Sequence, residues 1–177
     1  MDGAFNYDSW IAGLRAGRTF VSNGPLIDFT VNGQGPGSTV NPRGRVKVAA
    51  SAVSRIPFDR LEIVQDGQVV ADQVSIRGRE ARLEREIEVE EGGWIAARVS
   101  GAAKTYAGFP VFAHTSPVYL RIEGTPFRRA GSIGGFIDEI DRSARIIRKN
   151  FKFESDAQKA LAVGKFDDGR RAFGRLL

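Results

Sequence analysis

Leu61-Glu62-Ile63-Val64-Gln65-Asp66-Gly67-Gln68-Val69-Val70 reads as two short strands joined by a two-residue turn. Asp66-Gly67 carries the reading: the tight turns that match strand twist need positive φ, which glycine adopts freely and aspartate tolerates. A lone hairpin is marginal in water, so the fold depends on whether neighbouring segments supply further strands.

They do, on both sides. Upstream, residues 45–53 alternate, with Val46, Val48 and Ala50 on one face. Residues 19–21 and 26–31 are rich in β-branched and aromatic side chains, interrupted by Ser22-Asn23-Gly24-Pro25. Asn32-Gly33 and Asn41-Pro42-Arg43-Gly44 mark turns. Downstream, residues 80–89 set Leu83, Ile87 and Val89 against Arg82, Glu84, Glu86 and Glu88. Gly92-Gly93 then leads into residues 94–99, and residues 118–122 close the series. About seven strands punctuated by turns predict a mainly β chain with α, an immunoglobulin- or fibronectin-like β-sandwich with helices following it. Trp94 is the expected core aromatic.

Helical periodicity brackets this region. Residues 7–18 predict a short helix capped by Asp8 or Ser9, with Trp10, Ile11 and Leu14 on one stripe and Gly17 as its stop. So short a helix needs a surface to lean on. From Ser132 onward, Ile133, Phe136, Ile137, Ile140, Ala144, Ile147 and Phe151 keep the spacing of one buried stripe. Ser155 and Gln158 form a capping-box pattern that starts another helix, which Gly164 and Gly169 are expected to kink or break. The expected domains are 1–18, a junction helix; 19–125, the sandwich; and 126–177, a helical segment.

Composition narrows the chemistry. The 177 residues include no cysteine and a single histidine, His114. Disulfides, thiolate catalysis and cysteine-bound metals are excluded, and one imidazole does not build a multi-histidine metal centre. No metal and no cofactor is expected in this chain. The acids are scattered, without a calcium-loop pattern. No signal peptide is read in the first seven residues and no apolar run reaches spanning length, so a soluble chain of undecided compartment is expected. Residues 128–177 hold 12 Lys/Arg and 7 Asp/Glu, whereas residues 1–127 hold 14 of each, so the +5 excess lies in the tail. Arg142, Arg145, Lys149 and Lys152 form a basic stripe there, yet interspersed acids and the lack of alternating aromatics argue against nucleic acid or membrane as partner. Gly33-Gln34-Gly35-Pro36-Gly37 has the glycines of a phosphate loop without its lysine or following helix.

One stretch resembles a known family. Trp10-Ile11-Ala12-Gly13-Leu14-Arg15-Ala16-Gly17-Arg18-Thr19-Phe20-Val21-Ser22-Asn23-Gly24-Pro25 is similar to a segment of the CehA/McbA-like metallohydrolases, bacterial proteins built on a polymerase-and-histidinol-phosphatase (PHP) barrel. The hairpin at 61–67, Gly93-Trp94-Ile95-Ala96-Ala97-Arg98-Val99, Phe112-Ala113-His114-Thr115-Ser116-Pro117-Val118-Tyr119 and the ending Arg170-Arg171-Ala172-Phe173-Gly174-Arg175-Leu176-Leu177 follow in the family's order. The resemblance implies that this chain is the region after the catalytic barrel. It would be a non-catalytic accessory domain whose partner is the barrel of its parent, either cytoplasmic or exported, with divalent metals held by the parent alone. A homo-oligomer is compatible with this. Two rivals stand beside it: an independent β-sandwich module binding a glycan or protein, and a free-standing hydrolase with a carboxylate metal site.

The residues expected at a domain interface or substrate entrance are Trp10, Arg18, Asn23, His114 and Ser116. Each also has a structural explanation. Asn23 and Gly24 suit a strand interruption in which Asn23 bonds its own backbone and Gly24 takes a conformation other residues avoid. The His114 ring suits backbone hydrogen bonds that fix a bend before Pro117.

Overall fold

A computed structural model describes residues 6–125 and 130–177. The reading of the first five residues, and the boundary expected at 126, lie outside the described residues. The chain forms two compact units, Met1–Phe127 and Arg128–Leu177.

The first unit begins with α1 (Tyr7–Arg15) and continues through ten strands: β1 (Phe20–Ser22), β2 (Leu26–Val31), β3 (Thr39–Val40), β4 (Arg45–Val53), β5 (Arg60–Gln65), β6 (Gln68–Val74), β7 (Glu80–Glu88), β8 (Gly93–Lys104), β9 (Pro110–Thr115) and β10 (Val118–Leu120). They make the expected mainly β sandwich. One sheet is β2-β4-β7; the other joins β6, β5 and β8, with β9 and β10 both pairing β8. Both sheets are mostly antiparallel, and together they account for the ten strands.

The count exceeds the expected seven for a physical reason. β9 and β10 are one edge strand split at Ser116-Pro117. His114 pairs Arg98 while Val118 pairs Ile95, so one extra residue bulges out between them. The upper half of this edge is covered by antiparallel β1, with Val21 opposite His114, and the lower half by parallel β3, with Tyr119 opposite Thr39.

The alternation dictates the core. Phe29, Val31, Val46, Val48, Leu83 and Val89 from one sheet meet Leu61, Ile63, Ile95, Val99, Val118 and Leu120 from the other, all buried. Phe58, in the β4–β5 connection, closes one end at 1% exposure. Trp94 is not a core residue, contrary to expectation. Ile95, Ala97 and Val99 point inward, and the two-residue period of a strand turns Trp94 to the outer face opposite Tyr119. On the outer face of β4 and β7, Arg45–Glu88 at 2.6 Å and Lys47–Glu84 at 3.6 Å are exposed ion pairs worth at most about 1 kcal/mol each.

The cap of α1 also differs. Asn6, rather than Asp8 or Ser9, accepts the Ser9 N–H at 2.9 Å. Gly17, at φ +69°, ends the helix as expected, with its N–H on the Leu14 carbonyl and the Arg18 N–H on that of Gly13.

The second unit is a helical hairpin, α2 (Ala130–Asn150) and α3 (Asp156–Gly174). Ser155 accepts the Gln158 N–H at 3.2 Å, while the Gln158 side chain receives the Glu154 N–H at 2.9 Å. α3 runs unbroken through both glycines, against the expected break. A Cβ on Gly169 would lie 3.7 Å from Ile140, in ordinary contact where α2 and α3 meet, so a larger side chain there would press on α2. Phe136 and Phe173 stack at 5.2 Å, and Arg148–Asp167 and Arg170–Asp141 bridge the helices. The α2 stripe is only partly buried: Ile133 and Ala144 are enclosed, whereas Phe136 and Phe151 are exposed.

Candidate functional site

Sequence reasoning assigns Trp10, Arg18, Asn23, His114 and Ser116 to a domain interface or substrate entrance. The structure distributes them along the strap formed by α1, β1 and β9.

Trp10 lies on the exposed side of α1. Tyr7, Trp10 and Leu14 are 73%, 52% and 52% exposed, and no residue of α1 is buried. The helix is nevertheless fixed at its C-terminal end. A Cβ on Gly37 would lie 1.9 Å from the Ala16 carbonyl oxygen, so helix end and loop meet backbone to backbone. The Gly37 N–H donates to the Pro117 carbonyl at 2.8 Å, tying that loop to the bulge. This contact accounts for Gly37, which sits at φ +83°. Its glycine character allows close approach of α1.

Ser116 is held by the strap itself. Its N–H donates to the Thr19 carbonyl at 2.9 Å, and the two hydroxyls lie 2.8 Å apart. Asn23 extends the β1–β9 ladder through its side chain. It donates from Nδ2 to the Pro110 carbonyl and accepts the Phe112 N–H on Oδ1, each at 2.8 Å. It therefore bonds a strand nearly ninety residues away and not its own backbone. Gly24, expected in a conformation closed to other residues, is absent from the left-handed region; a Cβ there would press within 3.1 Å of Ile56. His114 is exposed on the outer sheet face, with Nδ1 3.4 Å from the Thr115 carbonyl, a weak contact that fixes no bend.

Arg18 stands exposed at the mouth of a cleft of about 740 Å³ between β1, β2 and the loop 33–38, with Phe20, Asp28, Phe29, Gln34 and Thr115 on its walls. Buried Thr115 uses its hydroxyl oxygen to accept the Ala97 N–H at 3.1 Å. Among the described residues, no group of three or more histidine, aspartate or glutamate side chains is placed to hold a metal. The strap gives a fixed, apolar, exposed helix face beside a polar-rimmed cleft, an arrangement suited to docking.

The opposite end of the sandwich holds residues that sequence reasoning misses. The β4–β5, β6–β7 and β8–β9 connections converge there and carry exposed Ile76, Tyr106 and Phe109. The signal that could have found them is Thr105-Tyr106-Ala107-Gly108-Phe109, aromatic residues on a glycine turn between strands.

Comparison with protein-family models, with curated proteins and with solved structures finds no significant match.

Proposed function

We propose that this chain is a non-catalytic accessory domain of a PHP-type metal-dependent hydrolase, and that α1 is the surface on which its catalytic partner docks. What supports the reading is the Tyr7–Trp10–Leu14 stripe. A nine-residue helix with no fully buried residue, yet pinned at its last turn, leaves its exposed apolar side available to a partner. Tyr7 and Trp10, with ring centroids 6.3 Å apart, form an aromatic anchor of the kind that dominates interface energetics. The segment that resembles the CehA/McbA-like proteins spans this helix and the β1 strap. Divalent metals would belong to the partner barrel, and no residue of this chain is assigned to them.

The test is association. The barrel encoded by the parent gene is titrated with this chain, and the Kd is measured for the wild type and for Trp10→Ser with Leu14→Ser. A loss of about tenfold or more is expected from removing two anchors. Equal affinity for the variant, or phosphoesterase turnover by the chain alone that chelation abolishes, overturns the reading.

A further inference from the structure

Within the first unit, a group of exposed apolar side chains lies at the end of the sandwich opposite α1. Ile76 is 61% exposed, Tyr106 fully so, and Phe109 64%; Val74 and Phe112 stand behind them on the outer face of the sheet. Cations surround these tips. Arg55, Arg77, Arg79 and Lys104 are all exposed or half-buried, whereas the acids of the same three loops are Asp59 and Glu80. Asp59 is engaged by the Ala102 N–H at 2.8 Å. Since residues 1–127 are neutral overall, this basic end implies an acidic remainder, with Glu84, Glu86, Glu88, Glu90 and Glu91 toward the other end.

The loops are braced. Ser54 N–H donates to the Arg79 carbonyl at 2.9 Å, Phe58 N–H to Gly78 at 2.7 Å, and Ser75 N–H to Asp59 at 2.9 Å. Arg79 also donates to the Arg55 carbonyl. The aromatic turn is closed by Thr105 N–H on the Phe109 carbonyl at 2.8 Å, with Gly108 at φ +81°. Projecting tips on a rigid base present little ordering cost to a flat partner. The cleft beside Arg18 is lined by residues of the α1–β1 connection, β1, β2, the loop 33–38 and Thr115, and by none of these three loops.

We propose that this loop end docks on an anionic lipid surface. Tyr106, Phe109 and Ile76 would enter the headgroup boundary, and Arg55, Arg77, Arg79 and Lys104 would lie at the level of the lipid phosphates. Apolar and aromatic tips ringed by cations are the features that peripheral membrane contact requires. The expectation of no membrane partner rests on spanning helices and the tail, not on these loops. The proposal does not rest on the accessory-domain reading, because α1 occupies the other end of the same unit.

The full chain is sedimented with phosphatidylcholine vesicles containing about one-third phosphatidylglycerol, and with pure phosphatidylcholine vesicles, across a salt series. Binding to the anionic vesicles that weakens with salt is expected. Tyr106→Ser with Phe109→Ser, and separately Arg77→Glu with Lys104→Glu, should each lower the partition coefficient by about tenfold or more. These side chains are exposed, and unchanged melting curves verify folding. Arg145→Glu with Lys149→Glu and Lys152→Glu, in the tail, should change it by less than about twofold. Absence of vesicle binding, equal binding by the loop variants, or loss in the tail variant alone overturns the proposal. So does capture by an acidic polypeptide that needs Tyr106 and Phe109 while vesicles remain unbound.

Discussion

Replacing Gly37 with alanine tests the anchoring of α1, with Gly33→Ala as its control. Both glycines have positive φ, +83° and +77°. Alanine in that region costs about 1–2 kcal/mol through its Cβ alone. Only Gly37 adds a collision: its Cβ would sit 1.9 Å from the Ala16 oxygen and 2.8 Å from the Gly17 carbonyl carbon, whereas Gly33 has nothing within 4 Å. The two backbones must part by roughly 1 Å, which also strains the Gly37–Pro117 hydrogen bond, worth about 1 kcal/mol. Gly37→Ala should therefore cost about 2–4 kcal/mol and Gly33→Ala about 1–2 kcal/mol, with unchanged urea m-values. Because no residue of α1 is fully buried, part of the strain is relieved by releasing the helix. Trypsin cleavage after Arg15 and Arg18 should accelerate by about tenfold in Gly37→Ala only. Equal urea midpoints and equal cleavage rates for the two variants would refute the backbone-to-backbone anchor.

Phe58→Ala should lose about 3–5 kcal/mol in urea unfolding, because a fully enclosed ring leaves a cavity at one end of the core. Asn23→Ala should cost about 1–3 kcal/mol, since the Pro110 carbonyl and Phe112 N–H both lose their partner. His114→Ala should stay within about 0.5 kcal/mol, and a larger loss would show that the ring carries a role its exposed position does not supply. In the second unit, Gly169→Leu should lower helicity cooperativity by forcing α3 away from Ile140, read as a broadened melt of the α-helical signal; Gly164→Leu, with nothing within 4 Å, should not.

Strands with one polar and one apolar face are legible in the amino-acid sequence alone. β4 and β7 follow from Val46, Val48, Leu83 and Ile87, because only one face of each can be buried. β9 is harder: Phe112 and His114 on its outer face hide the alternation of Val111 and Ala113, and Pro110 stands at its start. β3, two residues long, carries no period at all. Trp94 shows size and parity in conflict, and parity prevails because a strand permits two directions only. Of the candidate site, the exposed stripe at Trp10 follows from helical spacing. The partners of Asn23 and the role of Gly37 do not, since each depends on residues distant in sequence that meet only after the sheets close. The loop end leaves no periodic mark on the chain, because exposure at convergent turns is a property of topology.

The split edge strand has a consequence for how the molecule behaves in a crowded solution. An open strand edge is a template on which a second chain can add, and repeated addition yields fibrils. Here the bulge at Ser116-Pro117 lets two separate ribbons, running in opposite senses, blunt a single edge. On the other sheet, the Asp28 carboxylate occupies the Phe29 N–H at 3.0 Å. Addition of a second chain is thus hindered along these two edges, the β9–β10 edge and β2, next to the aromatic surface that the sandwich exposes.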